Sequence, residues 1–295
     1  MNSNNVPLVF IHIGDAPPDY AKRAVLQARR WNPNAPIFFL SSAIPASYGA
    51  GEEWISIDSI PKTDAHIRFL ETSRLNSTWR GGFWRSTTER LFILEDWILH
   101  QGIKECIHME NDIMLYTEFN KLLPVLRKGK GLSTTFQGQG VQRDQVRLCF
   151  AVLYVARQEA LSNLLVFLSN PSSTDEMQRG GDYWDMTPED CSLLPTAPVG
   201  VTLISETYRS WYENPEFPVI FDAAAYGQYL GGIDPRNGSE GPGFVNLDTD
   251  FRTDQFQYMW RMDSLDRRYP VLQDKDGREW NLANLHIHSK ELEKF

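Results

Sequence analysis

Lys104-Glu105-Cys106-Ile107-His108-Met109-Glu110-Asn111-Asp112 carries a short apolar stretch at Cys106, Ile107 and Met109 and ends in two carboxylates bracketing one residue. A short apolar run of this length reads as a buried strand. In an open α/β sheet, ligands bind beyond the carboxyl ends of the strands. Side chains at i and i+2 of an extended chain face the same way, so Glu110 and Asp112 can converge on one cation. Mg2+ and Mn2+ accept oxygen ligands and leave positions open for phosphate oxygens. The triplet alone fits two solvated turn acids equally well.

The surrounding sequence supports an α/β fold. Pro7 to Ile13 is an apolar run closed by Gly14-Asp15 and reads as a strand. Tyr20 to Trp31 reads as a helix, ended by Asn32-Pro33-Asn34, and Pro36 to Leu40 as a second strand. This order implies a parallel pair joined by a right-handed crossover. Ser86-Thr87-Thr88-Glu89 has the form of a capping box. Thr87, Leu91, Leu94 and Ile98 follow at helical spacing, and Gly102 is the expected stop. Phe119 to Arg127 reads as helix, Gly131 to Phe136 and Arg147 to Ala156 as strands, and Arg157 to Ser169 as helix. From Asn170 to Gly200 the composition is polar and rich in Pro, Ser and Gly, so a loop is expected there, with a short helix over Pro188 to Leu194. Phe217 to Ala223 reads as strand and Ala224 to Leu230 as helix. The expectation is a mixed central sheet, Rossmann-like and flanked by helices, in one domain over 1–295. Its first half covers about 1–135 and its second about 136–295, which ends in the C-terminal tail.

The 295 residues are 42% hydrophobic and 23% charged, enough for a sizeable core without disulfides. The formal charge of −9 argues against nucleic acid or an anionic membrane surface as a partner. Cys106, Cys149 and Cys191 form no Cys-x-x-Cys pair, so no zinc knuckle is indicated. Met1-Asn2-Ser3-Asn4-Asn5 has no basic, apolar signal pattern, and no run is long enough to span a bilayer. A cytoplasmic protein is expected. Asn237-Gly238-Ser239 matches a glycosylation sequon and reads as a turn.

The segment His108 to Tyr116 resembles the D-x-D motif of nucleotide-sugar glycosyltransferases with the A-type fold (GT-A). Phe83-Trp84-Arg85-Ser86-Thr87-Thr88-Glu89-Arg90-Leu91 is similar to the helix that precedes the motif strand in those enzymes. The resemblance implies transfer of a sugar from a UDP- or GDP-sugar donor to a carbohydrate or glycan acceptor, with Mn2+ or Mg2+. It departs from the motif at Glu110, where Asp is usual. The extra methylene directs Glu110 toward the donor ribose or a metal-bound water, and leaves Asp112 as the direct ligand. Asn111 lies between them as a donor contact.

Asn284-Leu285-His286-Ile287-His288-Ser289-Lys290 is the second informative segment. His-x-His in extended chain puts both rings on one face, and neutral imidazole suits Mn2+-like metals. Glycogenin-like members of the same family carry a late histidine that completes the metal site and a lysine that meets the diphosphate. The resemblance therefore implies His286 or His288 as metal ligand, with His288 expected because it is nearer Lys290, and Lys290 as phosphate contact.

Other candidates follow from position. His12, Gly14 and Asp15 end the first strand, at the edge that meets the nucleotide base in the A-type fold. Arg85 and Arg90 are candidates for the nucleotide, although Arg85 and Glu89 also form an i,i+4 pair. Asp222, in a small-residue stretch, is a candidate for sugar-hydroxyl binding or general base work, or a helix N-cap. Gln228 is a donor-facing candidate. Asp182, Asp185, Glu189 and Asp190 cluster in the polar segment, and Asp185 is the candidate base there, unless the cluster is a solvated face. A metal-dependent hydrolase or nucleotidyltransferase, or a non-catalytic nucleotide- or sugar-binding protein, would use the same residues.

Overall fold

Strand β1 (Leu8–His12) lies parallel to β2 (Ile37–Ser41), and helix α1 (Asp19–Trp31) joins them. The computed structural model describes residues 6–44, 46–136, 147–196, 198–199, 215–224, 226–227 and 256–295. Ala21, Ala24, Val25, Ala28 and Trp31 are the buried residues of α1; they fall on one helical stripe, which explains why a largely polar segment docks. After them come β3 (Glu53–Ser56), α2 (Asp64–Thr72), α3 (Phe83–Gln101), β4 (Cys106–Met109), β5 (Ile113–Leu115) and α4 (Phe119–Leu126). The chain continues with β6 (Leu132–Phe136), β7 (Leu148–Val155), α5 (Gln158–Leu168), α6 (Glu176–Met186) and β8 (Cys191–Leu194). The last strands are β9 (Gln257–Met262), β10 (Arg268–Gln273), β11 (Glu279–Asn281) and β12 (Asn284–His286).

Seven strands form a mixed sheet in the order β3-β2-β1-β4-β7-β6-β8. β7 pairs antiparallel with both β4 and β6, and the other neighbours in the sheet are parallel. Every residue of β2, β4, β6 and β7 is buried, as expected for strands covered on both faces. Helix α3 packs on β1, α5 and α6 on β7, and α2, α3, α5 and α6 on one another. The chain builds outward from β1 to β2 and β3, then returns to place β4 on β1's other side. The β1/β4 boundary is thus a switch point, and the crevice beyond the carboxyl ends of these strands is the natural ligand site.

Two smaller sheets are present among the described residues. β9, β10 and β11 form an antiparallel meander. It is held to α1 by the Arg267 guanidinium 4.0 Å over the Trp31 ring and by Tyr269 edge-on to the same ring. β12 pairs antiparallel with β5, matching Asn284 to Leu115, Leu285 to Met114 and His286 to Ile113. Among the described residues no helix is long and apolar enough to cross a membrane.

Several local expectations change. Helix α3 begins at Phe83, one turn before the supposed capping box, and its N-cap is Gly82 at φ 82°. Gly102, at φ 64°, ends it as expected, because the left-handed conformation there suits glycine. The polar segment after Asn170 is mostly regular: α6 occupies its middle, and 191–194 is strand rather than helix. Helix α6 buries Met177, Gly180, Gly181 and Tyr183, and Gly180 is so close to Phe150 that a Cβ would sit 2.7 Å from the ring. The small residues that suggested a loop are what allow this contact. Phe217 to Ala223 contributes a single bridge, Ile220 to Leu282, rather than a strand. Ala224 has φ 62°, outside the helical range, and most of the expected helix, 225 and 228–230, lies outside the described residues.

Asn32 ties the first crossover to the motif strand's continuation. Its buried side-chain amide donates to the Thr117 carbonyl at 3.0 Å, and its Oδ1 accepts from the Phe119 N–H at 2.9 Å. Asn32→Ala leaves both backbone groups unpaired, each costing about 1–3 kcal/mol. Urea unfolding should show a loss of about 2–4 kcal/mol; a loss below about 0.5 kcal/mol would mean that water replaces both bonds.

Candidate active site

The carboxylate triplet turns sharply beyond β4. Glu110 N–H donates to the Ala151 carbonyl at 2.9 Å, the last bond of the β4–β7 ladder, and Ile113 N–H donates back to the Glu110 carbonyl at 3.2 Å. This turn brings the two acids together while β5 departs to meet β12. The pairing of His286 with Ile113 delivers the His286 ring to the turn. Its Nε2 lies 3.2 Å from Glu110 Oε2 and 3.3 Å from Asp112 Oδ2. One ligand atom from each of Glu110, Asp112 and His286 lies within 4.8 Å of the others. Two carboxylate oxygens and one imidazole nitrogen at this spacing fit a divalent cation of the Mn2+ type.

Two basic side chains balance the acids. Arg90, from the buried face of α3, pairs with Glu110. Lys290 Nζ pairs with Asp112 Oδ2. Burial alone would raise both carboxyl pKa values, but Arg90 and His286 bring Glu110 down to about 2, and Lys290 and His286 hold Asp112 well below its usual range. Burial would lower the His286 pKa; Asp112 and Glu110 instead raise it well above the ordinary imidazole value. His288 goes the other way, to about 3, through burial and the neighbouring charge of His286 and Lys290.

The residues open onto a cavity of about 300 Å³ whose walls include His12, Tyr20, Arg80, Trp84, Arg90 and Glu176. Among the described residues, the non-glycine positions with positive φ are Arg80, Ala224, Asp266 and Lys290. All but Asp266 line this cavity. Left-handed backbone at such residues costs roughly 1–2 kcal/mol each and collects at functional sites.

The sequence candidates sort clearly against this geometry. Glu110, Asn111, Asp112, Arg90, His12, His286, His288 and Lys290 all line the cavity. Asn111 donates to the Ile11 carbonyl at 3.0 Å, and its buried Oδ1 has no hydrogen-bond partner among the described residues. His286, not His288, joins the carboxylates. Both rings do share a side, with centroids 4.6 Å apart, but the strand register ends at His286 and sets that ring beside the acids. Gly14 and Asp15 are exposed beyond β1 and are not part of the wall. Arg85 points elsewhere: it donates to the Leu70 carbonyl at 3.1 Å, tying α3 to α2. Asp185 is on the exposed face of α6, away from the cavity. Gln228 lies outside the described residues.

Asp222 is not in the cavity wall. It is buried, and its oxygens accept backbone N–H groups from Tyr226 at 2.9 Å, Gly227 at 2.7 Å and His286 at 2.9 Å. It thereby fixes the backbone of the candidate ligand. Gly227 has no room for a side chain, because a Cβ would run into the His286 carbonyl.

Glu176 went unnoticed in the sequence. It begins α6 and is buried in the cavity wall; Thr87 Oγ1 donates to it at 2.9 Å, and Arg90 lies 3.9 Å away. The available signal was Asp175 as an N-cap, whose side chain accepts from Gln178 N–H at 3.0 Å. The Gly180-Gly181 pair obscured the helix that follows.

No family model and no curated protein matches the sequence. Among solved structures, the chain is similar to mouse xyloside xylosyltransferase 1 in its apo form, at TM-score 0.47 and 12% identity, over 71% of this chain and 94% of that one. It is similar to the galactosyltransferase LgtC in complex with donor and acceptor sugar analogs, at TM-score 0.43 and 12% identity, over 75% and 92%. A third likeness is to the glycosyltransferase GlyE of Streptococcus pneumoniae, at TM-score 0.40 and 15% identity, over 64% and 45%. All three neighbours are glycosyltransferases.

Two variants test these placements. Asp222→Asn would turn an amide group toward backbone donors, so it should lower the thermal midpoint, with a stability loss of about 2–4 kcal/mol. An unchanged midpoint would return Asp222 to the list of reacting groups. For Glu176, burial pushes the pKa from 4.5 up to about 7. Between those values the unfolded chain releases the proton and the folded chain keeps it, so stability falls as pH rises through that window. Glu176→Gln escapes this loss. Its thermal midpoint relative to the parent should rise from about pH 5 to about pH 8, and a constant difference would place the carboxyl in water.

Proposed function

We propose that this protein is a metal-dependent glycosyltransferase that moves a sugar from a UDP- or GDP-sugar to a carbohydrate acceptor. The observation that carries the reading is the convergence of Glu110, Asp112, His286 and Lys290 at the carboxyl end of the central sheet, inside one cavity. Glu110, Asp112 and His286 would hold Mn2+ or Mg2+. That cation, when bound, offsets negative charge on a departing diphosphate.

The chain's own residues supply the rest. Lys290 neutralises Asp112 and stands where it can meet a phosphate oxygen, the role of a mobile point charge on a flexible stem. Arg90 orients the Glu110 carboxylate and keeps it ionised. Asn111 offers its unpaired oxygen to a donor hydroxyl, and His12 and Tyr20 form the wall on the β1 side, where the nucleotide would lie. Asp222 holds the His286 backbone from behind. The half of the chain up to about 135 would serve the nucleotide, and the remainder the acceptor.

Thermal-shift titration of UDP and GDP with and without Mn2+ tests this. A ligand at about 100 times its Kd adds about 2.7 kcal/mol, so one nucleotide should raise the midpoint by several degrees only when Mn2+ is present. Asp112→Asn and His286→Ala should weaken that Mn2+-dependent binding at least about tenfold, whereas His288→Ala should leave it within about threefold. Absence of any Mn2+-dependent shift in the parent protein would overturn the proposal.

A further inference from the structure

We propose that the turn Trp79-Arg80-Gly81-Gly82 and the start of α3 form the acceptor subsite, where a pyranose ring stacks on Trp79. This rests on the glycosyl-transfer reading and assigns the second substrate to a surface. The motif comparison singled out Phe83 to Leu91, but no role emerged for the aromatic residues at and before its start.

The first observation is a ledge of rings leading out of the cavity. Trp84 and Phe83 line the cavity wall. The Trp79 and Trp84 indoles are nearly coplanar in orientation, 4° apart with centroids separated by 6.0 Å. Phe83 stands edge-on to both, at 6.0 and 4.9 Å. Trp79, at the outer end, remains 40% exposed. Trp79 is not itself in the cavity wall, but its neighbours Arg80 and Gly81 are, so the exposed indole flanks the cavity.

The second observation is that the turn is built to hold this ring out. Arg80, Gly81 and Gly82 are successive left-handed residues, at φ 47°, 68° and 82°. Asn76 Oδ1 accepts the Thr78 and Trp79 backbone N–H groups, both at 2.8 Å, and the Thr78 hydroxyl at 2.9 Å. Gly82 presses on Ser77, whose carbonyl would lie 3.2 Å from an added Cβ. The Arg80 guanidinium lies 4.7 Å over the Trp79 ring. A non-glycine residue kept left-handed to present an exposed tryptophan is strain of the kind found at binding surfaces.

The chemistry selects a sugar. The C–H face of a pyranose is apolar and its rim is polar, so it can take the place of the Arg80 guanidinium over the indole and leave that guanidinium to a hydroxyl of the rim. A nucleobase would also stack, but Lys290, the residue proposed to meet the diphosphate, stands 5.8 Å from the Tyr20 ring, a different wall supplied by α1. The donor thus takes the Tyr20 side, and the ledge is left to the acceptor.

Saturation-transfer NMR tests the assignment, using methyl β-pyranosides of glucose, galactose, mannose and xylose with the parent protein, Trp79→Ala and Trp79→Phe. At least one pyranoside should receive saturation through its ring C–H protons from the parent. That signal should fall at least about fivefold in Trp79→Ala and largely return in Trp79→Phe. Mn2+-dependent binding of UDP or GDP, measured in parallel, should be equal in all three, which also shows that each is folded. If no pyranoside binds the parent, or Trp79→Ala keeps the full signal, the subsite is wrong. If pyranosides bind but neither nucleotide does, the ledge stands as a sugar-binding surface, while the donor reading and the acceptor role assigned through it fall together.

Discussion

The short ladder between β5 and β12 is the constraint on which the site depends. Three residue pairs align His286 opposite Ile113, and Ile287 N–H then reaches the Asp112 carbonyl at 3.1 Å. The alignment must be exact, because side-chain direction alternates along a strand and a slip of one residue turns every side chain to the other face. Asp222 and Gly227 guard the same alignment. The carboxylate takes the His286 N–H, and the glycine lets the chain pass against the His286 carbonyl.

Charge is the second constraint. Glu110, Asp112 and Glu176 are all withdrawn from water, where an uncompensated carboxylate is costly. Arg90 stands between Glu110 and Glu176, paired with the first and 3.9 Å from the second. Lys290 answers Asp112. The result is unequal: Glu110 and Asp112 stay ionised, while Glu176 is pushed upward by burial that Arg90 only partly offsets. Carboxyl groups a few ångströms apart are thus held in different protonation ranges by their surroundings.

Much of this was legible before any coordinates. β1, β2, β4 and β7 announce themselves as largely apolar runs because strands covered on both faces need no polar alternation, whereas β6 is marked by its β-branched threonines. The acids, the histidines and Lys290 stood out by type and spacing. What failed to show was anything set by partners distant in sequence. The choice of His286 over His288 comes from the β12 register, which the His-x-His pattern cannot express. Asp222 looked like a reactive acid because a residue name does not reveal that its oxygens face backbone N–H groups. Helix α6 looked like loop because Gly180 and Gly181, ordinarily breakers, are where the helix meets Phe150. With that helix hidden, so was Glu176.

The β5–β12 ladder also has a kinetic meaning. Lys290 and Asp112 meet across a separation of 178 residues. Contacts that close so long a loop repay their entropy late, after the local β-α-β units have formed. A chain halted at that stage would have its parallel strands in place while β5 still presented an open edge, and Asp112 would lack both the lysine and the imidazole. The cluster of Glu110, Asp112, His286 and Lys290 is therefore held by contacts of long sequence separation, and loosening of one three-residue strand would disperse it.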